Sequence, residues 1–256
     1  MSPSDPILIF DNVSKHFGGV SVVEELSFAV QRGSCTGLIG PNGAGKTTVF
    51  DLITGFYPID TGQILLDGVD IANMQSRYRI RHGVARNFQN IRLIPHLSTL
   101  ENVMVGQHCQ NRGLFGVLQP VAMMPGNRWR EGARAALAEA GLIEYERATV
   151  GTLPYGVKKR IEVVRALMAK PSLLLLDEPA AGLNSVETEV LRNYISTMCR
   201  DRGITLLLVE HDMHFVSLLC GYVIVLNFGR KIAEGTPEQI REDVSVKEAY
   251  LGAEES

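Results

Sequence analysis

Apolar and polar positions divide this chain into short apolar runs and longer mixed stretches. Runs with almost no polar interruption are typical of strands that are buried on both faces of a parallel sheet. Such runs lie at residues 35–39, 173–176 and 205–209. Further strands are predicted at 7–10, 26–30 and 64–66, and a last hairpin at 223–226 and 231–233. The pattern therefore predicts a buried sheet with several further strands.

Helical periodicity is clearest in the stretch that follows residue 184. Asn184 and Glu187 form a capping-box pair at its start, and Gly203 is placed to end the helix. Its apolar face is predicted to carry Val190, Leu191, Tyr194, Ile195 and Met198.

In residues 93–158 the pattern changes from strands to several short helices. This predicts a helical subdomain inserted between the strands. Within it, residues 113–127 mix Gly, Pro, Met, Leu and Phe without clear periodicity. A surface loop and a short helix that exposes apolar side chains are both open there. A last short helix is predicted after Thr236, because Pro237 and Gln239 suit a first helical turn.

Composition and charge narrow the class of protein. The chain has 256 residues, 45% of them hydrophobic, and a formal net charge of −3, as in an ordinary globular protein with a full core. It has no long basic run, so binding to nucleic acid is disfavoured. Its four cysteines lack Cys-x-x-Cys spacing, which argues against a zinc site and a disulfide framework. No apolar run reaches the length of a membrane span, and we expect a cytoplasmic location.

A glycine-rich segment between a predicted strand and a predicted helix carries the strongest chemical signal. Residues 40–48 read Gly-Pro-Asn-Gly-Ala-Gly-Lys-Thr-Thr, which fits the phosphate-binding pattern of Gly, four residues, then Gly-Lys-Ser/Thr. Gly43 and Gly45 permit a tight turn that points backbone N–H groups at a polyphosphate. The helix N-terminus adds partial positive charge. Lys46 is expected to reach the β- and γ-phosphates, and the Thr47 hydroxyl to bind Mg²⁺.

Further candidates rest on weaker local signals. Asp177 and Glu178 end a buried strand, at the edge where α/β sheets place their ligands. They could instead cap the next helix, but Asn184 and Glu187 already supply that cap. His211 also follows a strand, where a lone histidine is usually structural.

Two more positions are ambiguous by themselves. Phe17 precedes a glycine turn, where its ring could stack on adenine or serve as a hydrophobic plug. The sequence alone is consistent with both roles for Phe17. Gln89 is an isolated glutamine and has no diagnostic value alone.

Taken in order, these motifs resemble those of an ABC-transporter ATP-binding subunit over nearly the whole chain. The motifs are the phosphate loop, Gln89, the stretch Leu153-Pro154-Tyr155-Gly156, the pair Asp177-Glu178, and His211. Four segments look like those of the first ATPase of branched-chain amino acid importers, namely 37–48, 87–93, 180–184 and 249–252. The long segment after Gln89 also fits that type.

The resemblance implies the fold class and the domain organisation. We expect an α/β fold with a P-loop NTPase (RecA-like) core, an antiparallel β subdomain and an inserted α-helical subdomain. The core would occupy residues 1–92 and 159–235, and the helical subdomain with the signature motif residues 93–158. Residues 236–256 would form a C-terminal helix and tail.

The resemblance also implies a role for each candidate residue. Phe17 would stack on adenine. Thr47 and Gln89 would complete Mg²⁺ coordination, and Asp177 would hold the metal through water. Glu178 would be the general base, and His211 would contact the γ-phosphate, which makes the catalytic set Glu178, His211, Lys46 and Gln89. The ATP phosphates would be cradled by Asn42, Gly43, Ala44, Gly45, Lys46, Thr47 and Thr48. The implied reaction is in-line hydrolysis of the γ-phosphoryl group.

The signature stretch departs from the family pattern. Pro154 stands where the family usually has serine, and Val157 where it has glutamine. Pro154 and Gly156 would still face the γ-phosphate held by an opposite subunit, but one hydroxyl donor is missing. Such a loss costs about 1.5 to 3 kcal/mol if nothing substitutes for it. Our hypothesis is that the composite site built with this signature is the weaker of two.

The resemblance implies partners as well. One phosphate loop and one signature per chain mean that two cassettes enclose two ATP molecules. The second ATP-binding subunit is expected to be related but different, with a homodimer as the alternative. Both would dock onto two transmembrane permease subunits through the Gln89 region and the helical subdomain. A substrate-binding protein would deliver a branched-chain or related amino acid for import, and no nucleic acid would be involved.

Three rival functions are weighed against this reading. A lipopolysaccharide-export ATPase is similar in size, and the insertion after Gln89 argues against it. A soluble ABC ATPase that acts on DNA or ribosomes usually carries coiled coils, zinc modules or a second cassette, and none is evident in the sequence. A kinase or GTPase that shares only the phosphate loop would not explain Gly156, Glu178 and His211 together.

Overall fold

The structure is a computed structural model and describes residues 5–87, 91–107 and 126–254. Gln89 and most of the segment 113–127 lie outside these ranges. Within them the chain forms ten strands: β1 (Pro6–Phe17), β2 (Val20–Gln31), β3 (Cys35–Ile39), β4 (Thr61–Leu66), β5 (Val69–Asp70), β6 (Val84–Arg86), β7 (Leu173–Asp177), β8 (Thr205–Val209), β9 (Tyr222–Asn227) and β10 (Arg230–Gly235). The helices are α1 (Lys46–Thr54), α2 (Ser76–Arg79), α3 (Thr99–Val105), α4 (Gly126–Glu139), α5 (Tyr155–Leu167), α6 (Ser185–Arg202), α7 (Met213–Leu219), α8 (Pro237–Glu242) and α9 (Val244–Glu254).

A six-stranded sheet forms the centre of the fold, in the order β10-β9-β3-β8-β7-β6. Its neighbours pair in parallel except β9 and β10, which form an antiparallel hairpin. Every residue of β7 and of β8 is buried, because helices pack on one face of the sheet and α1, β1 and β2 pack on the other. The uninterrupted apolar runs therefore predicted these strands correctly.

A second sheet has the order β2-β1-β4-β5 and is antiparallel throughout. The stacked rings of Phe10 and Phe28, with centroids 4.6 Å apart, pair β1 with β2 on its buried face. The predicted antiparallel β element is confirmed.

Helix α6 begins and ends where the sequence predicted. Asn184 and Glu187 form a capping box, and Gly203 closes the helix with φ 63°. The buried stripe is Leu191, Tyr194, Ile195, Met198 and Cys199. The prediction for Val190 was wrong, since it is 41% exposed. At 100° per residue Val190 lies at the edge of the stripe, and Cys199 continues it.

Helices α3, α4 and α5 pack together and share a hydrophobic core with the central sheet. Val103, Leu137 and Ile161 belong to one buried cluster with Leu174 of β7. Helix α5 crosses residue 158, where the sequence placed the end of the helical subdomain, so the exact boundary stays a prediction. No helix in the described part of the chain has both the length and the apolarity needed to cross a bilayer.

Candidate active site

A cleft of about 320 Å³ lies between the phosphate loop and the ends of two central strands. It brings together the predicted residues Glu178 and His211 with the whole loop, Asn42, Gly43, Ala44, Gly45, Lys46, Thr47 and Thr48. Strands β3, β8 and β7 are adjacent in the sheet. The segments that follow their carboxyl ends therefore converge at one edge, as expected for an α/β sheet.

The phosphate loop depends on glycine at positions where the backbone passes close to other chain segments. A Cβ at Gly40 would lie 2.1 Å from the carbonyl oxygen of Leu226. A Cβ at Gly45 would lie 2.7 Å from that of Val22. Gly45 has φ 99° and immediately precedes α1, so the free N–H groups at the start of α1 face the cleft.

The side chain of Lys46 is held inside the loop. Its Nζ donates hydrogen bonds to the carbonyl oxygens of Gly40 at 2.6 Å and Pro41 at 2.9 Å. Burial lowers the pKa of Lys46, and the carboxylates of Glu178 and Asp177 oppose that shift. The ammonium group is thus anchored within the cleft, and its contact with the β- and γ-phosphates stays a prediction.

Glu178 and His211 contact each other across the cleft. His211 Nε2 lies 2.8 Å from Glu178 Oε1. Glu178 has φ 46°, a left-handed conformation that is uncommon for a residue with a side chain. Its backbone N–H donates to the carbonyl oxygen of Val209 on β8 at 2.9 Å. The strained backbone turns the carboxylate toward the loop, and such strain is often found at functional sites.

Asp177 is buried beneath the cleft, with 2% exposure. Its Oδ2 lies 2.8 Å from Arg86 Nη2, and Arg86 Nη1 lies 2.6 Å from Asp51 Oδ1 on α1. Asn87 Oδ1 accepts the backbone N–H of Asp177 at 2.8 Å. Burial raises the pKa of Asp177, and the ion pair with Arg86 opposes this.

Sequence reasoning missed two charged residues at this sheet edge. Arg86 ends β6 and pairs with two carboxylates. Glu210 directly follows β8 and is 5% exposed, and burial raises its pKa to about 7. The available signal was position, since each charged residue stands at the end of an apolar strand, as Asp177 does.

The predicted site residue Phe17 lies outside this cleft. The ring of Phe17 is 36% exposed and meets the ring of Tyr57 edge-on, with centroids 4.8 Å apart. This contact does not decide between adenine stacking and a hydrophobic plug. Gln89 falls outside the described residues, so its roles stay predictions.

The signature stretch starts helix α5 away from the cleft. Pro154 is the N-cap residue and has no side-chain capping hydrogen bond. A Cβ at Gly156 would lie 2.2 Å from Glu187 Oε1 at the start of α6, so any larger residue there would displace that carboxylate. Because neither residue lines this chain's own cleft, the arrangement is compatible with a role on the nucleotide of an opposite subunit.

Known proteins share both the sequence and the fold of this chain. The family model described as ABC transporter matches residues 23–181. The model described as Branched-chain amino acid ATP-binding cassette transporter matches residues 230–256.

Two curated relatives and one solved structure show how far the likeness extends. The high-affinity branched-chain amino acid transport ATP-binding protein BraF of Pseudomonas aeruginosa is 41% identical over 97% of this chain and 99% of its own. The lipopolysaccharide export system ATP-binding protein LptB of Escherichia coli is 35% identical over 94% of this chain and 95% of its own. The ADP conformation of MJ1267, an ATP-binding cassette of an ABC transporter, superposes with a TM-score of 0.87 at 30% identity. That match covers 97% of this chain and all of MJ1267.

Proposed function

Because this chain belongs to the ATP-binding cassette family of ABC transporters and is an ATPase of that family, we propose that it energises the import of branched-chain or related amino acids. The family and the fold class predicted from the motifs are confirmed. The match of residues 230–256 and the 41% identity to BraF support the choice of substrate. The observation that carries the chemistry is the single cleft in which Glu178 and His211 face the phosphate loop.

In this cleft the protein positions the reactants and stabilises charge. The loop N–H groups and Lys46 hold the β- and γ-phosphates and stabilise the charge that develops on them. Glu178 accepts a proton from the attacking water as the water adds to the γ-phosphorus. His211 fixes the direction of the carboxylate through the contact of its Nε2 with Glu178 Oε1, and its ring is placed to contact the γ-phosphate. The products are ADP and inorganic phosphate.

The residues present fit Mg²⁺ as the accompanying cation. Thr47 lines the cleft, and the carboxylate of Asp177 ends the neighbouring strand β7. Both supply oxygen, the ligand atom that Mg²⁺ prefers, and Mg²⁺ usually takes only one or two protein ligands alongside water and phosphate oxygens. When bound, it neutralises charge on the β- and γ-phosphates. Gln89 is assigned to this set by the family motif alone.

The cassette works, in our proposal, at the cytoplasmic face of a membrane with two transmembrane permease subunits. A second, related ATP-binding subunit completes the two ATP sites, with a homodimer as the alternative. A substrate-binding protein delivers the amino acid on the other side. Closure of the two cassettes around ATP then reorients the permease, a two-state change biased by γ-phosphate contacts.

A groove of about 230 Å³ on the surface is the docking site proposed for a permease subunit. Helix α2 and the adjoining Ile80 lie on one side of the groove, and α3 and α5 lie on the other. Ile80 and Val105 line it and are 43% and 37% exposed. Apolar side chains at this exposure suit a helical segment of a partner protein. Arg165 and Arg86, each ion-paired with a carboxylate, also line it.

The test replaces the chromosomal copy with Glu178→Gln and measures uptake of radiolabelled leucine, isoleucine and valine by intact cells. We expect uptake to fall to background while the variant is present at wild-type abundance and still binds ATP, because only the general base is lost. Glu189→Gln is the matched control, since Glu189 on α6 is 69% exposed and its loss should leave uptake unchanged.

Co-purification from detergent-solubilised membranes tests the partners separately. Two polytopic membrane proteins and a second ATPase are expected with the tagged chain.

The two experiments also separate the rival functions. Normal amino acid uptake in the Glu178→Gln strain, together with a defect in lipopolysaccharide export, would indicate an exporter instead of an importer. Recovery of ribosomes or nucleic acid instead of membrane proteins would refute the transporter assignment.

A further inference from the structure

Glu210 connects the two loops that carry the proposed catalytic side chains. Its Oε1 accepts the backbone N–H of Ala180 at 2.8 Å, in the loop after β7. Its Oε2 accepts the backbone N–H of His211 at 3.3 Å, in the loop after β8. The carboxylate is buried, so both oxygens serve the protein backbone.

These hydrogen bonds complete a closed ring around the catalytic contact. Ala180 lies two residues after Glu178, in a tight turn where the Ala181 N–H donates to the Glu178 carbonyl at 3.2 Å. On the other side of the ring, His211 Nε2 meets Glu178 Oε1 at 2.8 Å. A shift of either loop would therefore change the separation of the two side chains.

We propose that Glu210 is a positioning residue for ATP hydrolysis, whose ionised carboxylate holds the loops after β7 and β8 at the spacing that keeps Glu178 in contact with His211. The proposal rests on the function proposed above for that pair. Glu210 does not line the cleft, so it acts through the backbone of Ala180 and His211 and makes no contact with ATP.

The charge of Glu210 is sensitive to pH near neutrality. Its pKa is raised to about 7, mainly by burial and also by the carboxylates of Glu178 and Asp212, while the two backbone N–H groups oppose the shift. Cys220, which directly follows α7, is a further titratable group that interacts with it. A protonated carboxyl has one hydroxyl oxygen that donates and accepts poorly. Protonation should therefore weaken one of the two loop contacts.

The test compares Glu210→Gln with the wild type in steady-state ATP hydrolysis across the neutral pH range. An amide has the same shape but one acceptor oxygen, so it imitates the protonated acid. We expect kcat at high pH to fall about tenfold, equivalent to about 1.4 kcal/mol, with KM for ATP within about twofold because the phosphate loop is untouched. The ratio of wild-type to variant kcat should rise with pH through about 7, and other titrating groups cancel in this ratio.

Controls separate this inference from the proposed function. Asp212→Asn keeps the N-cap of α7, because Asn and Asp cap equally well, and should retain wild-type kcat at high pH. A ratio that is constant with pH, or a wild-type rate for Glu210→Gln, overturns the positioning role. If Glu178→Gln is as active as the wild type, the roles proposed for the site fail instead.

A measurement on the wild-type protein covers the case in which Glu210→Gln does not fold. The amide proton resonances of Ala180 and His211 should titrate together with a common midpoint near 7, since both groups donate to one carboxylate. Independent midpoints, or no titration, would overturn the proposal.

Discussion

Replacing Pro154 by serine isolates one of the two departures from the family signature. Pro154 is the N-cap residue of α5, with φ −55° and ψ 152°. Serine adopts these angles readily and is among the preferred N-cap residues. The substitution therefore adds one hydroxyl at the start of the helix without demanding a change of backbone.

Two effects on stability nearly cancel. The new hydroxyl can accept a backbone N–H of the first turn, worth about 0.5 to 2 kcal/mol. Loss of proline makes the unfolded chain more flexible, which costs about 0.4 to 1 kcal/mol. We expect the free energy of unfolding to change by less than about 1 kcal/mol, and a change of activity can then be assigned to the site.

The effect on activity should be larger. A hydroxyl hydrogen bond to a charged phosphate contributes about 1.5 to 3 kcal/mol, which corresponds to about ten- to 150-fold in rate if this composite site limits turnover. The assay is ATP hydrolysis by the assembled transporter, because the signature acts on the nucleotide of the opposite subunit. A rise in turnover supports the hypothesis that the present site is the weaker of two.

Pro154→Ala is the matched control, since it removes the proline but supplies no hydroxyl. It should be less stable than the wild type by about 0.4 to 1 kcal/mol and should gain no activity. Equal activities for the wild type, Pro154→Ser and Pro154→Ala would refute the reasoning. So would an equal gain for both variants, because the hydroxyl could then not be the cause.

Two further predictions concern stability. Arg86→Met leaves the buried carboxylate of Asp177 without its cation and should lower the free energy of unfolding in urea by about 3 to 5 kcal/mol. Arg134→Met, which removes a guanidinium that is 55% exposed, should cost less than about 1 kcal/mol, and equal costs would contradict the prediction. Because burial raises the pKa of Glu210 from 4.5 to about 7, its contribution to stability is complete below 4.5 and is lost as the pH rises through about 7. Between about pH 5 and about pH 8 the free energy of unfolding of the wild type should therefore fall, relative to that of Glu210→Gln, by up to about 3 kcal/mol. Parallel curves of unfolding free energy against pH for the two proteins would contradict this.

The elements that could be predicted from the sequence are those whose causes are local. The apolar runs of β7 and β8 reflect burial on both faces. The capping box of α6 needs only Asn184 and Glu187, which lie within four residues of each other. The phosphate loop is likewise one continuous segment. The roles of Glu178 and His211 were assigned only through the family order of motifs, because their position after a buried strand does not by itself specify a role.

The features that could not be predicted depend on segments that are distant in sequence. Arg86 contacts Asp177 only because β6 pairs with β7 in the sheet. Glu210 reaches Ala180 because β8 pairs with the other side of β7. No periodicity within either segment encodes these contacts, so they appear only once the order of the strands is known.

The charged groups of the site are concentrated at a single edge of an otherwise apolar sheet. Lys46, Asp177 and Glu210 are each at most 6% exposed, and burying a charge without full compensation costs folding free energy. The left-handed backbone of Glu178 adds a further cost of about 1 to 3 kcal/mol. Nothing in the packing of the apolar strands requires these groups, since the strands are fully buried up to the point where the charges begin. The raised pKa values of Asp177 and Glu210 therefore mark positions where the chain gives up stability in order to hold charge beside the phosphate loop.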